Sequence, residues 1–329
     1  MKRGLAVALW AAVALSCVAA APTFDWRLPR GVAPPPVPAD NPMSAAKVEL
    51  GRRLFYDADL SIDGTLSCAS CHEQHRAFTE GNATHPGVQG AIGRRNVMSL
   101  TNVGYLAPLT WADPGQTHLE GQVLVPVTGE HPVEMGMHGQ EAEIARRLAS
   151  DACYRTMFAA AFPESRGEIS LASASKAIAA FERTLISWNS AYDRRAPSDD
   201  ARGGEVLFRA KGCASCHSGA NFTDGRFHAI AEIRGDDAGA FEKTGAAADR
   251  GAFRTPSLRN IELSGPYLHD GAAKTLRVAI FRHDAAAEAL SQDEVTEIEA
   301  FLRGLTDRRF VSDERFSLPK TFCGKARNR

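Results

Sequence analysis

The pentapeptide Cys-Ala-Ser-Cys-His is written twice, at Cys68 to His72 and again at Cys213 to His217. Two thiols three residues apart on one helical turn reach the two vinyl groups of one porphyrin, and the adjoining His supplies an iron ligand. A thioredoxin-like redox pair does not need the His, and the 145-residue offset of the two copies does not suit a four-ligand zinc site. Covalent haem attachment is therefore expected at Cys68 and Cys71 with His72 as proximal ligand, and at Cys213 and Cys216 with His217.

The surroundings of the two copies repeat as well. Gly51-x-x-Leu54-Phe55, the first motif and Phe78-Thr79-Glu80-Gly81 are echoed by Gly204-x-x-Leu207-Phe208, the second motif and Phe222-Thr223-Asp224-Gly225. Helical spacing dominates: Val48, Leu50, Leu54 and Phe55 mark one apolar face, Ile144 and Leu148 another, and Met157 with Phe158 a third. Ile178, Phe181, Leu185 and Trp188 step by three and four, predicting a helix that ends at Asn189. Ser291 with Glu294 forms a capping box before Val295, Ile298, Phe301, Leu302 and Leu305. No comparable set of period-two runs exists. Residues 81–93 and 108–139 read as long Gly- and Pro-rich loops, which compact domains carry only when something fills them. The expected fold is all-α: two cytochrome c-like haem domains with long loops and a haem-haem interface between them. The expected bounds are a signal peptide over 1–21, a Pro-rich extended leader over 22–43, an N-terminal haem domain over 44–190 and a C-terminal one over 191–329.

The first residues show the charged, apolar and small-residue order of a secretory signal, with cleavage expected after Ala21. A periplasmic protein is thus expected; Cys17 raises a lipoprotein alternative, but Ala14-Leu15-Ser16 is a poor lipobox. No later segment is apolar enough to cross a membrane. Outside the motifs and the signal, Cys153 and Cys323 remain, either as a disulfide tying the N-terminal half to the C-terminal tail or as two separate thiols. With 38 basic and 39 acidic residues there is no positive excess for a phosphate backbone, so nucleic acid is not an expected partner.

The sixth iron ligand decides between electron transfer and peroxide chemistry. All six methionines lie at or before Met157, so the second half has none to offer; its candidates are His228, His269, His283 and Tyr267.

In GRRLFYD, CASCH with AFTEG, GRRN, HPVEMG, AFERTLIS, the second CASCH, and RTPSLRN through GPYLHDG to TL, the chain resembles the bacterial di-haem cytochrome c peroxidase and MauG superfamily over nearly its whole length beyond the signal. FERTLIS, HPVEMG and the FH after the second motif place the likeness closest to the MbnH-like branch. The resemblance implies that His283, eight residues after Thr275, is the distal ligand of the second haem, with His269 a packing or propionate-contacting residue near it. Val88 stands where the peroxidases place a gating His, and His85 is off register, so an open or water-filled first iron is implied. Gln122 and Pro126 match the family's distal Gln and Pro, and Glu134 its acid/base Glu, with two extra residues between Gln122 and Glu134. Trp111 takes the place of the inter-haem Trp. Asn96, Ser264 and Pro266 fall at the family's calcium ligands, so calcium is implied between the haems.

The expected activity is that of a haem peroxidase, reducing hydrogen peroxide at the N-terminal haem and drawing electrons through the C-terminal one from a small cytochrome c or copper protein. The alternative is a MauG- or MbnH-like enzyme that turns peroxide on Trp or Tyr of a partner protein. A pure electron carrier or sensor is the third class, and it would have no use for Gln122 and Glu134 facing an open iron.

Overall fold

The computed structural model describes residues 24–230, 236–283, 290–322 and 325–326. The expected signal, with Cys17, and Cys323 lie outside them. Among the described residues there are ten α-helices and two two-stranded ladders: β1 (Phe227–His228) with β2 (Phe253–Arg254), and β3 (Thr321–Phe322) with β4 (Lys325–Ala326). The architecture is all-α, as the spacing requires. No helix among the described residues is long and apolar enough to cross a membrane.

Each half is built on one close helix crossing. Ser44 caps α1 (Ala45–Phe55) by accepting from the Lys47 backbone N–H, and the helix buries Leu50, Leu54 and Phe55 completely. It packs on α6 (Leu171–Glu182), opened by a Ser170–Ser173 capping box. Gly51 makes this possible, since a Cβ there would stand 1.8 Å from the Ala177 carbonyl oxygen. In the second half α7 (Asp199–Ala210) crosses α10 (Gln292–Gly304) in the same manner, with Gly204 against the Glu297 carbonyl at 1.9 Å. The Ser291–Glu294 capping box opens α10 as the spacing predicts. The sequence repeat thus duplicates a crossing, with the haem motif following the first helix of each pair.

The N-terminal core adds α4 (Glu141–Ser150) and α5 (Ala152–Ala161). It also takes in Phe310 and Phe316, so the C-terminal segment returns to the first half, held by Tyr56 donating to the Phe316 carbonyl and Gln74 to that of Asp313. A second core forms around Phe208, Phe222, Ile298 and Phe301. The leader is extended but docked: Asn41 is fully buried, donating to Glu120 and to the Lys176 carbonyl, and the Tyr105 hydroxyl donates to the Ala33 carbonyl.

Two expectations are corrected. The helix carrying Ile178 and Phe181 stops at Glu182, not Asn189, and Leu185 and Trp188 lie in irregular backbone. Buried Asn102 takes over that segment: its N–H donates to Leu185 O, and its side chain both accepts from Ser187 N–H and donates to Ser187 O. These bonds replace helical ones, so continuing the helix would gain nothing. Residues 108–139 are not one loop, because α3 (Leu119–Thr128) interrupts them, burying Leu119, Val123 and Val127 at steps of four. Short α2 (Cys68–Cys71) carries the first motif, α8 spans Phe241–Thr244 and α9 spans Leu276–Phe281.

Candidate haem centres and the peroxide-facing pocket

Both motif histidines are oriented by the same device. His72 caps α2, and its Nδ1 lies 2.7 Å from the Phe78 carbonyl oxygen; His217 Nδ1 lies 3.1 Å from that of Phe222. Both phenylalanines adopt the left-handed conformation, φ 60° and 52°, which turns the carbonyl back towards the ring. With Nδ1–H donated to backbone, Nε2 is left as the ligating nitrogen. Burial depresses both imidazoles, His217 to about 4, so each is neutral and its lone pair available. None of the four motif cysteines is in a disulfide. Burial also pushes the Cys71 thiol up to about 12.

The second motif opens on a cavity of ≈ 430 Å³ lined by Cys213, Cys216, His217 and His283. His283 faces His217 across it with ring centres 6.1 Å apart, and its Nδ1 is satisfied by the Ala279 carbonyl at 2.7 Å. Two imidazole nitrogens each about 2.0 Å from one metal put their ring centres roughly 6 Å apart, so the pair fits an iron held between them. Of the other candidates, His228 Nε2 meets Asp224 at 2.8 Å and His269 stacks on Phe253 at 3.6 Å, while Tyr267 lines the cavity as well.

Arg254, for which the sequence suggests no role, lines the same cavity at 4 % exposure. It donates only to the Thr110 carbonyl and the Met98 sulfur and pairs with no carboxylate among the described residues. Burial lowers its pKa to about 10. A buried cation without a counter-ion is costly, and a haem propionate would satisfy it. The cysteines, the facing imidazoles and this cation all fit haem c. In the sequence Arg254 stands out only as the first residue of the RTPSLRN segment, with nothing to mark it as a buried cation.

Trp111, which lines the second-motif cavity, donates Nε1–H to the Asn96 carbonyl at 2.8 Å, and its own carbonyl accepts from Arg254 N–H. Asn96 N–H in turn donates to the His269 carbonyl at 2.7 Å. The Asn96 amide donates to the Asn82 and Ala83 carbonyls, which leaves Oδ1 for a cation. Ser264 and Pro266 line the same cavity as Asn96.

Near the first motif lies the Glu134 loop, which follows α3. Gln122 and Pro126, four apart, share one helix face, and Pro126 inside the helix gives up the N–H that would bond Gln122 O. Met135 N–H donates to Pro126 O and Met137 N–H to Val127 O, so the orphan carbonyls at the helix end anchor the Glu134 loop beside Gln122. Gln122 Oε1 is buried without a partner. The Glu134 carboxyl is pushed up by burial, and both Glu134 and Glu80 lie close enough to raise the Cys71 thiol further. Val88, where a gating His would stand, is apolar and 2 % exposed. Glu80, from the repeated FTEG stretch, and His85, off register for the gating His, form a carboxylate-histidine pair that the sequence alone does not join, with His85 Nδ1 2.7 Å from Glu80 Oε2. Cys153 is disulfide-bonded.

Two covalent haem sites, unequal in their facing residues, on duplicated helix crossings define a di-haem c-type cytochrome with a peroxidase pocket. The di-haem cytochrome c peroxidase (CCP_MauG) family model matches residues 45–201. Methylamine utilization protein MauG of Methylophilus methylotrophus is 33% identical over 78% of this chain and 79% of its own length. Cytochrome c551 peroxidase of Nitrosomonas europaea is 33% identical over 82% of this chain and 83% of its own. A crystal structure of a MauG-like protein associated with microbial copper homeostasis superposes with a TM-score of 0.85 and 38% identity, covering 90% of this chain and 99% of that one. The chain belongs to the di-haem cytochrome c peroxidase and MauG family, a family of haem peroxidases that carry two haem c groups.

Proposed function

We propose that this protein reduces hydrogen peroxide at the His72 centre with electrons that arrive through the His217 centre and Trp111. Haem c bound at the two motifs would supply redox-active iron, accessible to peroxide at the first and closed by His217 and His283 at the second. The observation that supports the reading is the inequality of the two sites: an imidazole faces His217, whereas Glu134 lies near Cys71 of the first, on a loop bonded to the helix that carries Gln122. Gln122 holds the peroxide, and Glu134, with its raised carboxyl, takes a proton from one oxygen and returns it to the other. Asn96, Ser264 and Pro266 hold calcium between the centres, fixing the Asn96 carbonyl that Trp111 bonds. The expected setting is the periplasm, with a small cytochrome c or copper protein as donor.

A second reading has its own support. A His rather than a Met opposite His217, a Val at the gating position, and the likeness to a MauG-like structure favour an enzyme that spends the oxidising power of peroxide on Trp or Tyr of a partner protein.

One experiment separates the two. Hydrogen peroxide is added to the fully oxidised, haem-loaded protein with no reductant. A reaction of about one equivalent supports the partner-oxidising reading. A reaction that waits for one haem to be reduced supports the detoxifying peroxidase, and no reaction in either state overturns both.

A further inference from the structure

Peroxide reduction balances as H2O2 + 2 e− + 2 H+ → 2 H2O. An acid/base group that only shuffles the proton already on peroxide leaves two protons to be imported from solvent in every turnover. Electrons come from the donor; the proton entry has no assigned residue.

The loop after the first haem motif carries a group suited to it. Glu80 is 2 % exposed, accepts from His85 Nδ1 at 2.7 Å and from Asn82 Nδ2 at 3.1 Å through Oε2, and leaves Oε1 buried without a partner. The carboxylate fixes His85 with Nδ1 protonated, so Nε2 is the nitrogen that takes up and releases protons. The His85 side chain is 21 % exposed and so reaches water. The same loop is clamped to the Glu134 loop: Val88 N–H donates to the Glu134 carbonyl at 2.7 Å, and Gly87 packs so tightly there that a Cβ would stand 2.0 Å from Val133 O. His85 is thus held between solvent and the peroxide-facing carboxyl.

We propose that the Glu80–His85 pair is the proton entry of the peroxide pocket, with His85 Nε2 passing protons from water to Glu134 and the bound peroxide. This rests on the function proposed above. The charged groups around His85 are Glu80 on its own loop, Glu134 from the opposite loop and His72 beneath; charge on His85 acts on the last two. Arg76, against Gly81, is paired with Glu73, and Asp270, beside the Gly271 that packs on Ala83, accepts from Ala272 N–H.

The test uses the haem-loaded protein and His85→Gln, with Glu80→Gln as the second variant. Two rates are followed: reaction with peroxide, and binding of cyanide, which enters as HCN and must lose its proton. Both are expected to fall about ten- to a hundredfold in His85→Gln and less in Glu80→Gln, with unchanged haem content and spectrum. Increasing phosphate buffer is expected to restore the lost rate by carrying protons in place of the imidazole, which a packing defect would not allow. Unchanged rates across pH in His85→Gln, in a protein whose parent does react, overturn the proposal and leave the function standing. A change of spin state at the first haem overturns it by making His85 an iron ligand. A parent protein inert to peroxide overturns both.

Discussion

His217 and His283 face each other with ring centres 6.1 Å apart, and each has its Nδ1 occupied by a backbone carbonyl, Phe222 for one and Ala279 for the other. With Nδ1 given to the backbone, each ring keeps Nε2 as its ligating nitrogen, and the spacing suits one iron between them. In the first half the corresponding position is the buried Val88, and the carboxyls of Glu80 and Glu134 lie near Cys71. The duplicated sequence has thus been put to two different uses.

Replacing His283 with Ala tests the pairing. One of the two haems is expected to change from low-spin to high-spin, with both haems retained on their thioethers. Electron paramagnetic resonance of the oxidised protein reads this directly, and an unchanged low-spin signal would place another residue opposite His217.

Glu134→Gln removes the acid/base carboxyl but keeps its size. Reaction with peroxide is expected to slow by about 10²–10⁴-fold with both haems in place. Because burial raises the Glu134 carboxyl above the ordinary 4.5, the parent should show a limb in its pH profile displaced above that value, and the variant should lose it. Stopped-flow rates between pH 4 and pH 9 give both results.

Much of this was readable in the chain alone, and the remainder has a common cause. The two CASCH motifs, the Ser291 capping box and the apolar stripe of α1 are local patterns, and the structure places them as read. The end of α6 was not readable, because the bonds that stop it come from Asn102, some eighty residues earlier in the chain. Helix α3 was masked by Pro126 and its neighbouring valines, poor helix formers that are tolerated because the Glu134 loop satisfies the helix-end carbonyls. His283 could be singled out only through resemblance, since an His between Arg282 and Asp284 looks like a surface residue. Arg254 and the Glu80–His85 pair escaped for the same reason: a buried cation or a carboxylate-histidine contact is defined by what surrounds it in space.

Arg254 gives a prediction whose sign depends on the haem. In the apo-protein the cation is buried and unpaired, so Arg254→Met is expected to stabilise the fold or leave it unchanged. In the haem-loaded protein the same change removes a propionate partner and is expected to destabilise it by about 2–4 kcal/mol. Denaturant titrations of both forms check this; equal effects would mean that Arg254 does not meet the haem.

Glu182 is 7 % exposed with Oε2 unpartnered, and burial pushes its carboxyl from 4.5 up to about 8. Between those values the unfolded chain gives up this proton while the folded protein keeps it, so the group costs stability as pH rises through the window. Glu182→Gln, neutral throughout, is expected to be close to the parent at pH 5 and more stable by about 1–4 kcal/mol at pH 8. Urea midpoints at the two pH values measure the difference, and an equal change at both would show that the carboxyl is ionised in the folded state.

The two glycine crossings can be set against each other. A Cβ at Gly51 meets the Ala177 carbonyl at 1.8 Å and one at Gly204 meets that of Glu297 at 1.9 Å, both in rigid backbone that cannot rotate away. Gly203 offers a control, because its Cβ would meet only the carboxylate end of Glu297 at 2.3 Å, which can swing aside. Ala at position 51 or 204 should therefore cost at least about 1–3 kcal/mol by forcing two helices apart, outweighing the roughly 0.5–1 kcal/mol that Ala gains over Gly inside a helix. Ala at 203 should keep that gain. Thermal unfolding of the three single variants decides the matter: similar midpoints for all three would mean that the helices can separate freely, and that the repeat does not depend on contact between backbones.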